Sequence, residues 1–480
     1  MGILKSLIQK PNHGFTKQIY INNNLITLNF MKLKNFSQLL FFAFVILFTA
    51  QSCVKEGPMG LTGANGKDGA NGKDANETCK MCHTSASVDI ISTQFQLSKH
   101  NYGLAAFEEA GNTGCTPCHA QEAFKDVVAR NVSSGFTKGS NGRYTLDYAT
   151  TANKAYGEIG CSTCHSAIHT TYGTSDLIFT TVKPVPMVMW GGKKTIDLKA
   201  DGGKSNLCVK CHQPRPQTNL QTGDSQDYAA IATNPTVLAY DANANTATTN
   251  IIRPSYRMHI HYGAVGGIYA GMGGVEFAGT LPYTNSTHTT VASCVDCHMG
   301  SMVGRAGGHT FTAKGNLTTC NATGCHTTAV TSASTTLWAT PRAEIKTLLN
   351  NLAAKLVVGG VDILNRNANT NEALGGVNLW AGLTTNNYDG YLNVYDASLN
   401  NPTLGLATYS NVNGPFQNAS PAASWTADQK AFNLALPKLS LTNAQYGAII
   451  NFQLCLRDYS LGIHNYAYTK ALLTNSIAKL

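Results

Sequence analysis

Cys294-Val295-Asp296-Cys297-His298 decides how this chain is read. The same frame, Cys-x-x-Cys-His, recurs at Cys79–His83, Cys115–His119, Cys161–His165 and Cys208–His212. A sixth copy, Cys320 to Cys325-His326, spaces its cysteines by four residues instead of two. Each cysteine pair suits thioether bonds to the two vinyl groups of one haem, and the adjacent His then falls under the iron as proximal ligand. Zinc ribbons also use cysteine pairs, but they need no His directly after the second Cys. Disulfides would leave six histidines unexplained. The expected cofactor is therefore six covalent haems c. Attachment runs through Cys79, Cys82, Cys115, Cys118, Cys161, Cys164, Cys208, Cys211, Cys294, Cys297, Cys320 and Cys325, with His83, His119, His165, His212, His298 and His326 as proximal ligands.

Of the 14 histidines, the six proximal ones and His13 are set aside, which leaves His100, His169, His259, His261, His288, His309 and His464 as distal candidates. Six irons need at most six distal ligands, so every haem can be bis-His with one imidazole spare, and an open coordination site is not forced. Met299 and Met302, beside the fifth motif, are alternative ligands that would raise a potential. His165 and His169 are four residues apart and share a face on a helix, whereas axial ligands stand on opposite sides of one ring. His169 is thus expected to serve a neighbouring haem. His259 and His261 point to opposite sides of an extended segment, so at most one reaches a given iron. Cys455 lies in an apolar helical pattern and reads as a core residue.

The N-terminal stretch reads as an address. Leu39 to Ala50 is a nearly unbroken apolar run behind Lys32 and Lys34, too short to span a bilayer comfortably and suited to a signal peptide over residues 31–52. Synthesis from Met31 would make residues 1–30 an upstream extension. Ala50-Gln51-Ser52-Cys53 resembles the bacterial lipobox, which makes Cys53 the expected lipidation site; a soluble export signal with a leftover thiol is the alternative. Gly57, Gly60, Gly63, Gly66, Gly69 and Gly72 recur at period three, a collagen-like pattern with too few triplets and too little proline for a triple helix. Residues 53–78 are expected to be an extended stalk.

Charge excludes other classes. Only 13% of residues are charged, and there are no blocks of like charge, which argues against disorder and nucleic-acid binding. The formal net charge is +9, and five lysines precede Cys53 with no acidic residue among them. Each ferric haem adds about one negative charge. The basicity of the remaining chain then reads as an internal counterion for the haems.

Beyond the motifs, several segments resemble the multihaem cytochromes that include hydroxylamine oxidoreductase and ammonia-forming cytochrome c nitrite reductase. Ser98-Lys99-His100 is similar to their Ser-x-His distal element, and Asn285-Ser286-Thr287-His288 ahead of Cys294–Met299 to another. Gly307-Gly308-His309-Thr310-Phe311 resembles a further distal element, and Asp458-Tyr459-Ser460-Leu461-Gly462-Ile463-His464-Asn465 resembles the C-terminal Gly-x-His-Asn element that opens a late helix. The resemblance covers about residues 79–326 and 440–475, and it implies electron transfer. It does not carry catalysis across, because no Cys-x-x-Cys-Lys occurs here and no tyrosine identifies itself as the cross-link to a catalytic haem.

The expected fold is mainly α with extensive loops and little β, a multihaem cytochrome c fold organised around covalent haems. The hexahaem core spans residues 79–330, and a helical C-terminal region, 331–480, packs on it. Thr340-Pro341 starts a helix with an apolar stripe at Ile345, Leu348, Leu349, Leu352 and Leu356. Thr442 to Asp458 and Ala467 to Lys479 follow the same spacing. Residues 366–423 look like a loop-dominated insertion. The Gly-rich run Gly263 to Gly279 suits either close backbone approach to a porphyrin or partner, or an ordinary loop. The expected function is electron relay in anaerobic or extracellular respiration by an exported outer-membrane lipoprotein facing the periplasm or cell exterior, with redox proteins as partners. The alternative is a reductase of nitrogen or sulfur oxyanions at one open haem, with His259 or His261 and Arg253 or Arg257 beside the iron.

Overall fold

A computed structural model of the protein describes residues 88–102, 115–131, 136–138, 144–146, 157–170, 174–190, 194–214, 228–236, 238–240, 260–322, 324–359, 361–366, 388–392, 427 and 440–480. All of them belong to one compact unit, Lys73–Leu480. Residues 1–30, the signal peptide, Cys53, the stalk, the first motif (Cys79, Cys82, His83), Arg253, Arg257, His259 and most of the 366–423 insertion lie outside the described residues.

The described part is about half helix with little strand. Helices of eight residues or more are α1 (Val88–Gln96), α2 (Gln121–Arg130), α3 (Lys204–Cys211), α4 (Thr340–Lys355), α5 (Asn443–Arg457) and α6 (Tyr466–Lys479). Strands form two-stranded antiparallel ladders only, such as Val185–Pro186 with Thr195–Ile196. Among the described residues no helix is long and apolar enough to cross a membrane.

Helix ends follow local chemistry. Pro341 sits in the first turn of α4, where its missing N–H costs nothing. Thr442 and Gln445 form a capping box at the start of α5, and Asn465 caps α6 through its side-chain oxygen. Helix α5 is buried almost all round, from Ala444 through Arg457. It forms the centre of a core with Ile345, Leu349 and Leu352 of α4, Tyr468, Leu472 and Leu473 of α6, and Ile260, Ile268, Val275 and Phe277. Cys455 is fully buried in that core.

Three asparagines tie the Gly-rich segment to the C-terminal helices. Asn451 accepts from Val275 N–H (2.7 Å) and donates to Val275 C=O (2.8 Å). Asn475 does the same with Leu281, and Asn465 accepts from Ser286 N–H while donating to Ile268 C=O. These amides satisfy backbone groups of a segment that has no ladder or long helix of its own. The glycines permit the approach: a Cβ on Gly274 would stand 2.4 Å from Leu472, and one on Gly266 would stand 2.7 Å from the His212 carbonyl. Close approach in this run is therefore to α6 and to the end of α3.

Candidate functional site

Each described Cys-x-x-Cys-His motif closes as a single helical turn. The His N–H donates to the carbonyl of the first Cys at His119 to Cys115 (3.1 Å), His165 to Cys161 (2.9 Å) and His212 to Cys208 (3.0 Å), and Cys294–His298 is helical throughout. Cysteines at i and i+3 then share one side of the turn. Ser293 and Asp296 form a capping box that starts the fifth motif. In the wide sixth motif, His326 N–H still reaches the Cys320 carbonyl, at 3.1 Å.

The histidines face one another in pairs. Ring centroids are 6.0 Å apart for His100 and His212, 6.3 Å for His119 and His261, 5.8 Å for His288 and His326, and 6.2 Å for His298 and His464. His309 lies near enough to His165 to depress its own ionisation, after burial. Four of the five described proximal histidines, His119, His212, His298 and His326, thus meet one distal candidate each, whereas the ring stacked on His165 is Phe179. A metal–imidazole bond of about 2.0 Å on either side of an iron, with roughly 1.1 Å from each nitrogen to its ring centre, sets two trans imidazole centroids about 6 Å apart. The four measured pairs have that spacing. His169 is exposed, with a left-handed backbone (φ 61°), and the His165 ring stacks on Phe179 at 5.4 Å. Met302 is 37% exposed at the surface.

The second ring nitrogen is fixed at six of these histidines. Nδ1 lies 2.9 Å from Leu177 O in His165, 3.2 Å from Gly263 O in His212, 2.7 Å from Tyr262 O in His261, 3.0 Å from Ile463 O in His288 and 2.8 Å from Phe311 O in His298. In His464 it lies 2.6 Å from the Asp458 carboxylate. These partners only accept, so Nδ1 carries a hydrogen and Nε2 is the nitrogen left to face a metal. Burial disfavours the cation at four of the histidines. His100 is pushed down to about 4 by burial, with His212 and His298 adding to the effect, and burial lowers His212, His298 and His309 in the same sense. His464 departs from this pattern: burial disfavours its cation, but the Asp458 charge and hydrogen bond outweigh burial and raise its pKa.

Backbone strain gathers at the same place. Six non-glycine residues of the described part have positive φ: Asn131, His169, His261, Phe311, Tyr459 and Leu461. His169 and His261 are distal candidates, Phe311 supplies the carbonyl to His298, and Tyr459 and Leu461 lie in the turn between Asp458 and His464. Such conformations persist where the surroundings over-determine them.

The motifs are also neighbours. The Cys211 sulfur lies beside that of Cys118, and the Cys208 sulfur beside that of Cys294. Cys297 senses Cys320 and Cys325 after burial, the larger cause, and is pushed up to about 11. The second, fourth, fifth and sixth motifs thus form a continuous series. No disulfide joins the described cysteines, and among the described residues no group of three or more His, Cys, Asp or Glu can hold a metal ion. A haem iron needs only two protein ligands, since its porphyrin supplies the other four.

Comparison of the chain with protein-family models, curated proteins and solved structures finds no match.

The sequence pointed to the histidines but not to their supports. Backbone carbonyls leave no trace in side-chain pattern. Asp458 did leave one: between Leu441 and Asn465 the only charged side chains are Arg457 and Asp458, and both are buried. A buried charge in so apolar a stretch needs a partner.

Proposed function

We propose that the chain is a hexahaem c-type cytochrome with a multihaem cytochrome c fold, exported and lipid-anchored at Cys53 on the outer membrane, that relays electrons between redox proteins in respiration. The observation that carries this reading is the pairing of four of the five described proximal histidines with a second histidine, at the spacing two axial ligands require. Haem supplies one-electron exchange at its iron. The chain's contribution is to cap four of the described iron positions on both sides, to fix the imidazoles through Nδ1, and to hold successive motifs against one another.

Imidazoles locked by carbonyls and by strained turns change little when an iron changes oxidation state, which suits transfer rather than bond-making. The neighbouring motifs, linked at Cys118 with Cys211 and at Cys208 with Cys294, favour short steps between porphyrin edges. The likeness to the hydroxylamine oxidoreductase and nitrite reductase group is consistent with this reading through its distal elements, not through its catalytic ones. An oxyanion reductase remains a reading for the haems of the first and third motifs, since the other described motifs each carry two facing histidines.

The test is electron paramagnetic resonance of the oxidised, haem-loaded protein. Only low-spin ferric signals fit a conduit. A high-spin signal that responds to nitrite, hydroxylamine or sulfite would replace it with an enzyme.

A further inference from the structure

Of the six Nδ1 partners above, five are backbone carbonyls and one is a side-chain carboxylate. Asp458 is 1% exposed, at the C-terminal end of α5. Its Oδ1 accepts from His464 Nδ1 at 2.6 Å, and its Oδ2 accepts from the Ser460 hydroxyl. The turn that brings the two residues together passes through three left-handed residues, Tyr459 (φ 59°), Leu461 (φ 54°) and Gly462 (φ 89°). Two of them carry side chains that disfavour that region. Ser460 Oγ also accepts from His464 N–H at 3.2 Å, so one hydroxyl braces both acid and imidazole.

Given the haem reading above, on which this rests, we infer that Asp458 is a positioning residue that makes His464 more electron-rich than the histidines held by carbonyls and sets the His298/His464 haem at a lower reduction potential than the other described histidine pairs. A carboxylate drawing on the Nδ1 hydrogen leaves more negative charge on the ring, and a ligand of that kind stabilises ferric over ferrous iron. The buried charge itself acts in the same direction, because low dielectric leaves it poorly screened. None of the five carbonyl partners supplies either effect. The fifth motif lies between the fourth and sixth in the series of contacts, so the low-potential centre would stand inside the relay and not at its end.

The experiment is a spectroelectrochemical titration of the six-haem protein followed by paramagnetic resonance, on wild type, Asp458→Asn and Asp458→Glu. In the wild type, the low-spin signal of the near-parallel His298/His464 pair is expected to vanish after those of the other described pairs on reduction. In Asp458→Asn, which keeps a hydrogen-bond acceptor but removes the charge, the step of that signal moves to more positive potential while the other five stay in place. Asp458→Glu returns it toward the wild-type value. Six unshifted steps in a fully loaded Asp458→Asn protein would overturn the inference and leave Asp458 a structural residue. If that variant does not fold, a wild-type signal that vanishes before the others has the same force. A protein that carries no haem would instead remove the reading on which the inference rests.

Discussion

His298 and His464 face each other with ring planes only 23° apart, whereas His288 and His326 stand at 88° and His100 and His212 at 70°. The angle between two axial imidazoles sets how far the iron d orbitals split. Near-parallel rings give a rhombic low-spin ferric spectrum, and near-perpendicular rings give a highly anisotropic one with a large leading g value. The oxidised protein should therefore show both types, with the rhombic component from the fifth motif and broad, low-field components from the fourth and sixth. A single uniform rhombic population, measured by paramagnetic resonance with spin quantitation, would contradict these angles.

Removing one distal imidazole should open one iron and leave attachment alone. In His100→Ala the thioethers at Cys208 and Cys211 and the proximal His212 remain, so six haems are retained. One of them turns high-spin and binds cyanide or carbon monoxide. Loss of a whole haem in this variant would mean that His100 does more than cap.

The wide motif should behave as a full attachment site, because His326 N–H closes on the Cys320 carbonyl as the other motifs close. The double variant Cys320→Ser with Cys325→Ser is expected to lose one haem mass and keep five. An unchanged mass would show that the sixth motif holds no haem.

How much of this was legible depends on what each feature rests on. Helix α4 was readable from Thr340-Pro341 and its apolar stripe, and α5 and α6 from the same spacing, because propensity, cap and periodicity agree there. The candidate ligands were readable because Cys-x-x-Cys-His is a local pattern. Their pairing was not: His100 meets His212 and His288 meets His326 across long stretches of chain, and sequence spacing carries no information about which face meets which. The Gly263 to Gly279 run was ambiguous for a related reason. Small residues announce close approach without naming what approaches, and here it is α6 and the end of α3.

Asn451 offers a test of how the C-terminal helices are held. Its amide satisfies both backbone groups of Val275 and donates to Ser476 at 2.9 Å, all in the buried core. Asn451→Ala leaves a buried N–H and a buried C=O without partners, which costs about 2–4 kcal/mol. Chemical denaturation of the haem-loaded protein should show that loss, with the haem count unchanged. A loss under about 0.5 kcal/mol would mean that another group or water takes over both contacts.

Glu344 on α4 carries a modest pH dependence. Its carboxylate bonds to Lys470 at 2.7 Å and accepts from Tyr466, and these hold its pKa below the usual carboxylate value. A depressed folded-state pKa stabilises above the unfolded value and is lost as pH falls through the folded one. Because the pair is more than a third exposed, the contribution should stay under about 1 kcal/mol. Glu344→Gln should thus be slightly less stable than wild type at neutral pH and indistinguishable from it in acid. A difference that grows toward low pH would reverse this sign.

The most direct test of the central claim is the intact mass of the denatured protein, expressed with a cytochrome c maturation system. Covalent attachment survives denaturation, so the account predicts the mass of the polypeptide plus six haems. A folded, stable protein whose denatured mass is that of the polypeptide alone would contradict it.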